Sequence, residues 1–269
     1  MRKPLVLILM LATCAIPAVS QYPTVPGLRE LRRTIAGYLQ RRFGVEVDPD
    51  TQVLPTSGSK EAIFTTPLAL IARGSGHAMV YGTPGYPVYE RGALFAGADA
   101  LGIRLEGDFV LRAADIPARV WERAAAVWTC SPHNPTGSIS TTADLSELLA
   151  ACREHDALLL ADECYCDLYE DEPPPSALQV AGPGFPGVVS YLSLSTRAGM
   201  TGYRSGAMVG DARAIAALRD MRSSLGVASQ EFVQAAAIAA WSDDAHAAAR
   251  RASFAAKRAV LRRPFEELG

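Results

Sequence analysis

Paired cysteines, an excess of one charge and low-complexity tracts are all missing from this sequence of 269 residues. Its five cysteines form no CxxC pair and match no zinc-binding spacing, so the sequence predicts neither a disulfide framework nor a metal site. Lys and Arg number 26 against 28 Asp and Glu, which gives a formal net charge of -2 and no broad positive field. We therefore expect no nucleic-acid partner.

Two enzyme motifs are also incomplete or absent. No GxxxxGK[ST] segment precedes a helix, which argues against a P-loop nucleotidase. The segment Ser57-Gly58-Ser59-Lys60 has the S-x-x-K spacing of exported serine acyl-enzymes, but no K-T-G or S-D-N motif accompanies it. A serine acyl-enzyme that uses Ser57 and Lys60 is therefore a remote alternative.

The first twenty residues have the three-part form of an export signal. Met1-Arg2-Lys3 is followed by an apolar run from Pro4 to Pro17 and by small residues that suit cleavage after Ser20. The same stretch is also compatible with an apolar strand or a misplaced start codon. If the signal is real, the chain is exported, and we expect no membrane segment in the mature chain.

The rest of the chain alternates between short apolar runs and helical patterns. Five runs predict buried strands: Ala78–Tyr81, Ala124–Cys130, Ala157–Ala161, Val188–Leu194 and Gly206–Val209. Amphipathic or capped segments predict the helices 27–43, 60–72, 86–96, 142–155, 212–223 and 231–241. This alternation predicts a three-layer α/β/α sandwich with a mostly parallel sheet.

Two further segments complete the predicted organisation. The stretch from Pro173 to Gly187 is rich in proline and glycine and predicts a surface loop. A last helix is expected from Asp243 to Leu261, ending before Pro264, because proline interrupts helical hydrogen bonding.

Polar residues that follow the apolar runs should meet, because ligands of parallel sheets bind at the carboxyl ends of the strands. Ser57-Gly58-Ser59 follows the Val53-Leu54 run at a helix start, where free N–H groups make an anion site or the serine simply caps the helix. Ser193, Ser195 and Arg204 add two hydroxyls and a guanidinium. Together these groups suit a phosphate dianion.

Other strand ends carry groups suited to an aromatic ligand. Tyr86 lies on a turn where its face could stack on a flat ring, although a lone tyrosine is more often part of a core. Asn134, Asp162 and Tyr165 follow two neighbouring strands. An aspartate that ends a wholly apolar strand is costly to bury unless it has a positively charged partner.

Six motifs occur along the chain in the order YPTVPGLRELR, PGYPVYE, NPTG, DECY, GYRSG and AAWSDDAH. From about Tyr22 onward the sequence thereby resembles the class I/II (fold type I) pyridoxal-phosphate aminotransferases, nearest to the succinyldiaminopimelate transaminase group. The resemblance implies pyridoxal 5'-phosphate as cofactor, a cytoplasmic homodimer, and transfer of an amino group between an amino acid (glutamate, succinyldiaminopimelate) and a 2-oxo acid.

The resemblance also implies a role for each polar residue. Asp162 would pair with the pyridine nitrogen and keep it protonated, while Asn134 and Tyr165 would hydrogen-bond the ring oxygen. Tyr86 would stack on the ring. The phosphate would be held by the backbone of Gly58, Ser59 and Lys60, by Ser193 and Arg204, and by Tyr22 of the partner subunit.

One departure from the family pattern concerns catalysis. The family pattern is S-x-S-K-R, with its lysine eight positions before the arginine of GYRSG. This chain instead reads Ser193-Leu194-Ser195-Thr196-Arg197, with Thr196 eight positions before Arg204. Thr196 therefore occupies the position of the Schiff-base lysine, and a hydroxyl neither forms that bond nor shuttles the proton at neutral pH. Activity is expected to be impaired.

A second departure concerns length. Residues 21–242 correspond to the family's large domain, and residues 243–269 to the start of a helix leading to a small domain that is missing here. Two alternatives are therefore kept: a non-catalytic binding or regulatory protein with this fold, and a gene fragment.

Overall fold

The computed structural model describes residues 22–268, which include one seven-stranded sheet. Its strands are β1 (Val53–Thr56), β2 (Ala78–Thr83), β3 (Asp99–Arg104), β4 (Ala124–Cys130), β5 (Leu158–Asp162), β6 (Val188–Ser193) and β7 (Gly206–Gly210). Their spatial order is β1-β7-β6-β5-β4-β2-β3. The four pairs among β2 to β6 are parallel, and β7 runs antiparallel to both β6 and β1. The predicted mostly parallel sheet is confirmed.

Helices connect and cover these strands. They are α1 (Arg29–Phe43), α2 (Ser59–Leu70), α3 (Val88–Ala96), α4 (Ala118–Trp121), α5 (Thr142–Glu154), α6 (Ala177–Ala181), α7 (Leu194–Arg197), α8 (Ala212–Leu225), α9 (Glu231–Ser242) and α10 (Asp244–Leu268). Two short 3-10 turns lie at Ala113–Asp115 and Thr201–Tyr203.

The central strands are buried on both faces, which explains their unbroken apolar runs. Val127 and Leu159 pack in a core with residues of α1 and α5 on one face. Their chain neighbours Trp128 and Leu160 pack in a second core with residues of α2 and α8 on the other. Because successive side chains of a strand point to opposite faces, one sheet supports both cores. The three-layer sandwich is therefore confirmed.

Strand β3 and the stretch from Pro173 to Gly187 differ from what the sequence predicts. Strand β3 was not predicted, because it lies at the sheet edge with most of its residues partly or fully exposed and lacks an apolar run. The loop predicted from Pro173 to Gly187 contains α6, which Ser176 caps by accepting a hydrogen bond from Leu178 N.

The predicted helix end before Pro264 is wrong, since α10 continues through this proline to Leu268. The neighbouring Val260 is 74% exposed, and Pro264 is exposed as well. Water can therefore reach the backbone carbonyl that loses its N–H donor to the proline ring.

The predicted export signal, residues 1–20, lies outside the described residues. Among residues 22–268, no helix has both the length and the apolar composition that a bilayer crossing requires.

Glu163, directly after β5, is a buried carboxyl surrounded by donors. It accepts hydrogen bonds from the hydroxyls of Ser176 and Ser190 and from Ala177 N, at 2.7 to 3.0 Å. Burial dominates over these donors and raises the pKa of Glu163 to about 7. This carboxyl joins the start of α6 to the central strands.

Glu163 should therefore make stability depend on pH. Because its folded pKa lies above the ordinary value of 4.5, its contribution is complete below about pH 4.5 and is lost as pH rises through about 7. Between about pH 5 and pH 8 the wild type should lose up to about 3 kcal/mol more unfolding free energy than Glu163→Gln. Urea titrations at both pH values measure this difference. The exposed control Glu122→Gln should behave as the wild type; equal pH dependence in Glu163→Gln would contradict the assignment.

Candidate functional site

A cavity of about 460 Å³ opens at the carboxyl ends of β5 and β6, beside the start of α2. It brings together most of the side chains that the sequence singled out. Those lining it are Ser59, Lys60, Tyr86, Asn134, Asp162, Tyr165, Ser193, Ser195, Thr196 and Arg204. Tyr22 does not line it and is 98% exposed. Among residues 22–268, no group of His, Cys, Asp or Glu is arranged to hold a metal ion.

One end of the cavity is built to receive an anion. Gly58 has φ +87 and precedes α2, whose first N–H groups have no partner within the helix. A Cβ on Gly58 would collide with the guanidinium of Arg204, so glycine allows this cation to lie against the turn. Arg204 is exposed and donates one hydrogen bond, to Thr201 O. The N-terminus of α2, the guanidinium of Arg204 and the hydroxyl of Ser193 thus lie at the same end of the cavity.

Asp162 forms the floor at the other end. Its carboxylate accepts hydrogen bonds from the Tyr89 hydroxyl at 2.6 Å and from Cys164 N at 3.2 Å. Burial raises its pKa, and these two donors only partly oppose the shift. No Lys, Arg or His among the described residues pairs with Asp162. A cationic ligand group at this position would supply the missing partner.

Tyr89 is the functional residue that the sequence analysis missed. Its ring stacks on Trp128 at 5.0 Å, and Trp128 contacts Tyr191 at 4.9 Å, so an aromatic layer lies under the floor. Tyr86 meets Tyr89 edge to face at 5.7 Å. The signal was present in the PGYPVYE motif, where Tyr86 lies just before α3 and Tyr89 lies in its first turn.

Asn134 and Tyr165 separate this cavity from a second one of about 550 Å³. The second cavity is also lined by Glu170, Arg258 and Arg262, and both arginines pair with Glu170. Burial raises the pKa of Tyr165, so its phenol stays protonated and can donate a hydrogen bond into the first cavity. The side chains of Asn134 and Tyr165 are therefore placed to contact one ligand edge.

Thr196 lies in the cavity wall, and its hydroxyl is used by the protein itself. Thr196 Oγ1 donates to the backbone carbonyl oxygen of Cys164 and lies 3.2 Å from Ser193 O. Its helix α7 is held by the next residue, Arg197, which is 5% exposed. Arg197 pairs with Asp167 at 2.7 Å and with Asp244 at 2.6 Å, so α7 is tied to the segment after β5 and to the start of α10.

A buried ion pair supports the anion-binding end from below. Arg222 of α8 is fully buried and contacts both carboxylate oxygens of Glu61 at 2.5 and 2.6 Å. Glu61 in turn accepts a hydrogen bond from Ser57 N at 3.2 Å. The Ser57 hydroxyl lies 3.4 Å from that of Ser229. The turn before α2 is thus fixed by a residue that lies far away in the sequence.

The fold and this site define a class of protein. The profile of the aminotransferase class I and II family matches residues 12–269, and the chain belongs to this family, whose members depend on pyridoxal phosphate. The resemblance inferred from the six motifs is confirmed.

Particular relatives can be compared in more detail. The chain is 36% identical over 228 residues to an LL-diaminopimelate aminotransferase of Trichormus variabilis, a match that covers 83% of this chain and 57% of that protein. It is also 36% identical over 250 residues to a 4-dedimethylamino-4-oxo-anhydrotetracycline transaminase of Streptomyces rimosus, covering 92% and 66%.

Solved structures agree. The N-succinyldiaminopimelate aminotransferase of Mycobacterium tuberculosis superposes with a TM-score of 0.85 at 32% identity, over 98% of this chain and 69% of that chain. The chain spans less than two thirds of the length of the LL-diaminopimelate aminotransferases that it matches.

Replacing Arg222 with methionine should destabilise the protein by about 3 kcal/mol, because it leaves the largely buried Glu61 carboxylate without its cation. Urea unfolding of both proteins measures the change. The matched control Arg104→Met removes an exposed pair with Glu106 and should leave the unfolding free energy nearly unchanged. If Arg222→Met unfolds at the wild-type urea concentration, the pair does not support the turn.

Proposed function

We propose that residues 21–242 form a pyridoxal-phosphate-binding domain of the aminotransferase type. One observation carries the proposal: the buried carboxylate of Asp162 lacks a cation and faces a cavity whose other end is a helix N-terminus with Arg204. A ligand that is cationic at one end and dianionic at the other complements both ends. Pyridoxal phosphate with a protonated ring nitrogen has this charge distribution.

The residues present fit this cofactor at each of its parts. Arg204, the Ser193 hydroxyl and the backbone of Gly58, Ser59 and Lys60 would hold the phosphate. Tyr86 would stack on the ring, Asn134 and Tyr165 would bond the ring oxygen, and Asp162 would bond the ring nitrogen. When bound, the cofactor supplies an electron sink for bonds at the α-carbon of an amino acid.

The activity class is transfer of an amino group between an amino acid and a 2-oxo acid. The names of the relatives point to diaminopimelate-type substrates, with succinyldiaminopimelate among them, and the resemblance adds glutamate as a proposed amino donor. Asp162 would keep the ring nitrogen protonated, and Tyr165 would donate to the ring oxygen. Neither replaces the proton carrier that the family has at position 196, since the Thr196 hydroxyl is already bound to backbone carbonyls. We propose that turnover is slow for this reason.

The second candidate is a non-catalytic binding or regulatory protein with this fold. The engaged Thr196 hydroxyl favours it, because threonine serves there as a structural residue. We further propose a homodimer in which the exposed Tyr22 reaches the phosphate of the partner subunit. A cytoplasmic location is likewise proposed on family grounds.

Calorimetry with pyridoxal phosphate tests the site directly. The wild type should bind it reversibly and should also bind inorganic phosphate more weakly. Asp162→Asn should weaken cofactor binding about tenfold or more, since a charged hydrogen bond is lost, yet leave phosphate binding unchanged. Ser193→Ala should weaken the binding of both pyridoxal phosphate and inorganic phosphate. Absence of cofactor binding to a folded chain, judged by circular dichroism, would refute the proposal.

Thr196→Lys should introduce a covalent bond to the cofactor that the wild type lacks at this position. Position 196 lines the same cavity as Asp162, so the amine of a lysine introduced there would be able to reach the aldehyde carbon of the bound cofactor. Borohydride reduction followed by peptide mass spectrometry should find the cofactor on residue 196. Thr196→Arg is the control, because it adds a cation that cannot condense; no adduct at residue 196 in the lysine variant would place this position outside the reacting geometry.

A further inference from the structure

Lys60 is the one lysine that lines the cofactor cavity of the described residues. The chain has lysine at positions 3, 60 and 257 alone, and Lys257 lies on helix α10 and does not line this cavity. The other cation that lines the cavity is the guanidinium of Arg204, which does not condense with aldehydes at neutral pH. If any amine of the cavity reacts with an aldehyde ligand, it belongs to Lys60.

The Lys60 side chain runs from the phosphate end toward the ring face. Its backbone is in the first turn of α2, next to Gly58, while its Nζ lies 6.0 Å from the centroid of the Tyr86 ring. Tyr86 lines the cavity together with Asp162 and Arg204. The Lys60 amine therefore lies beside the side chain that is proposed to stack on the cofactor ring.

The amine is also free of competing partners. The described residues give Lys60 no ion pair and no hydrogen bond, and its contact with Tyr86 is the one that the structure records. A flexible, exposed ammonium with no carboxylate partner has no pair to break before it reacts. Thr196, by contrast, carries no nitrogen and has its hydroxyl bound to backbone.

We propose that Lys60 supplies the amine that bonds covalently to the cofactor aldehyde in this chain, an inference that rests on the proposed function. The unprotonated Nζ adds to the aldehyde carbon, the aldehyde oxygen leaves as water with two protons from nitrogen, and a C=N bond remains. No oxidant or reductant is needed. Because Lys60 belongs to the turn that holds the phosphate, anchoring and phosphate binding become coupled at one end of the site.

Borohydride trapping on the full chain tests the proposal. The protein is equilibrated with pyridoxal phosphate, reduced with borohydride, digested and examined by mass spectrometry. The adduct at Lys60 should saturate with cofactor and exceed that at Lys257 by about tenfold, the effect of one phosphate-binding interaction. Inorganic phosphate should suppress the Lys60 adduct and leave that at Lys257 unchanged. Pyridoxal, which lacks the phosphate, should prefer Lys60 over Lys257 less strongly than pyridoxal phosphate does.

Two variants separate this inference from the proposed function. Lys60→Arg keeps the cation but should abolish the saturable adduct, while calorimetry still detects cofactor and phosphate. Thr196→Lys provides the positive control for trapping in the same cavity. If the wild type binds cofactor in calorimetry but Lys60 and Lys257 react equally, or phosphate fails to protect Lys60, the inference is overturned and the binding function stands. If neither cofactor nor phosphate binds, both fail.

Discussion

The burial of the Asp162 carboxylate at the end of the central strand β5 is the constraint on which the site depends. Burying an ionised group is costly unless donors or a cation compensate it. Tyr89 and the Cys164 amide provide two donors, and the described residues provide no cation. The aromatic layer of Trp128 and Tyr191 excludes water from beneath. The described residues therefore leave the charge of Asp162 without a cation, and the proposed ligand would supply one.

Much of this could be predicted from sequence, because strand ends of a parallel sheet meet at one edge. Asp162 ends β5, Tyr165 follows it and Asn134 follows β4, so short-range patterns were enough to predict that these residues meet. The Glu61–Arg222 pair could not be predicted in this way. Each residue alone has the appearance of an exposed helical charge, and only the contact between α2 and α8 makes Arg222 fully buried. Edge strand β3 escaped prediction for a related reason, since its exposed residues carry no apolar pattern.

Helix α7, which carries Thr196 in the cavity wall, is held in place by neighbouring ion pairs although Thr196 replaces the lysine of the family pattern. Arg197 is clamped between Asp167 and Asp244 and packs on the Tyr38 ring at 4.4 Å. Arg42 adds a second pair to Asp167. This network fixes α7 through the residue after Thr196, so the backbone at position 196 is held by contacts that the Thr196 side chain does not make. Geometry and reactivity are thus controlled by neighbouring but separate residues.

The antiparallel strand β7 has a consequence for how the protein is made. Strand β1 stands at the edge of the described sheet with β7 as its neighbour, and Val53 lies opposite Val209. Residue 53 leaves the ribosome long before residue 209. Pairing two strands so far apart in the sequence has a large entropic cost, because a long loop must close. The turn that follows β1, Ser57-Gly58-Ser59, consequently cannot be held in its final position until β7 has emerged. Ligand capture by the nascent chain must therefore await nearly complete translation of the sheet.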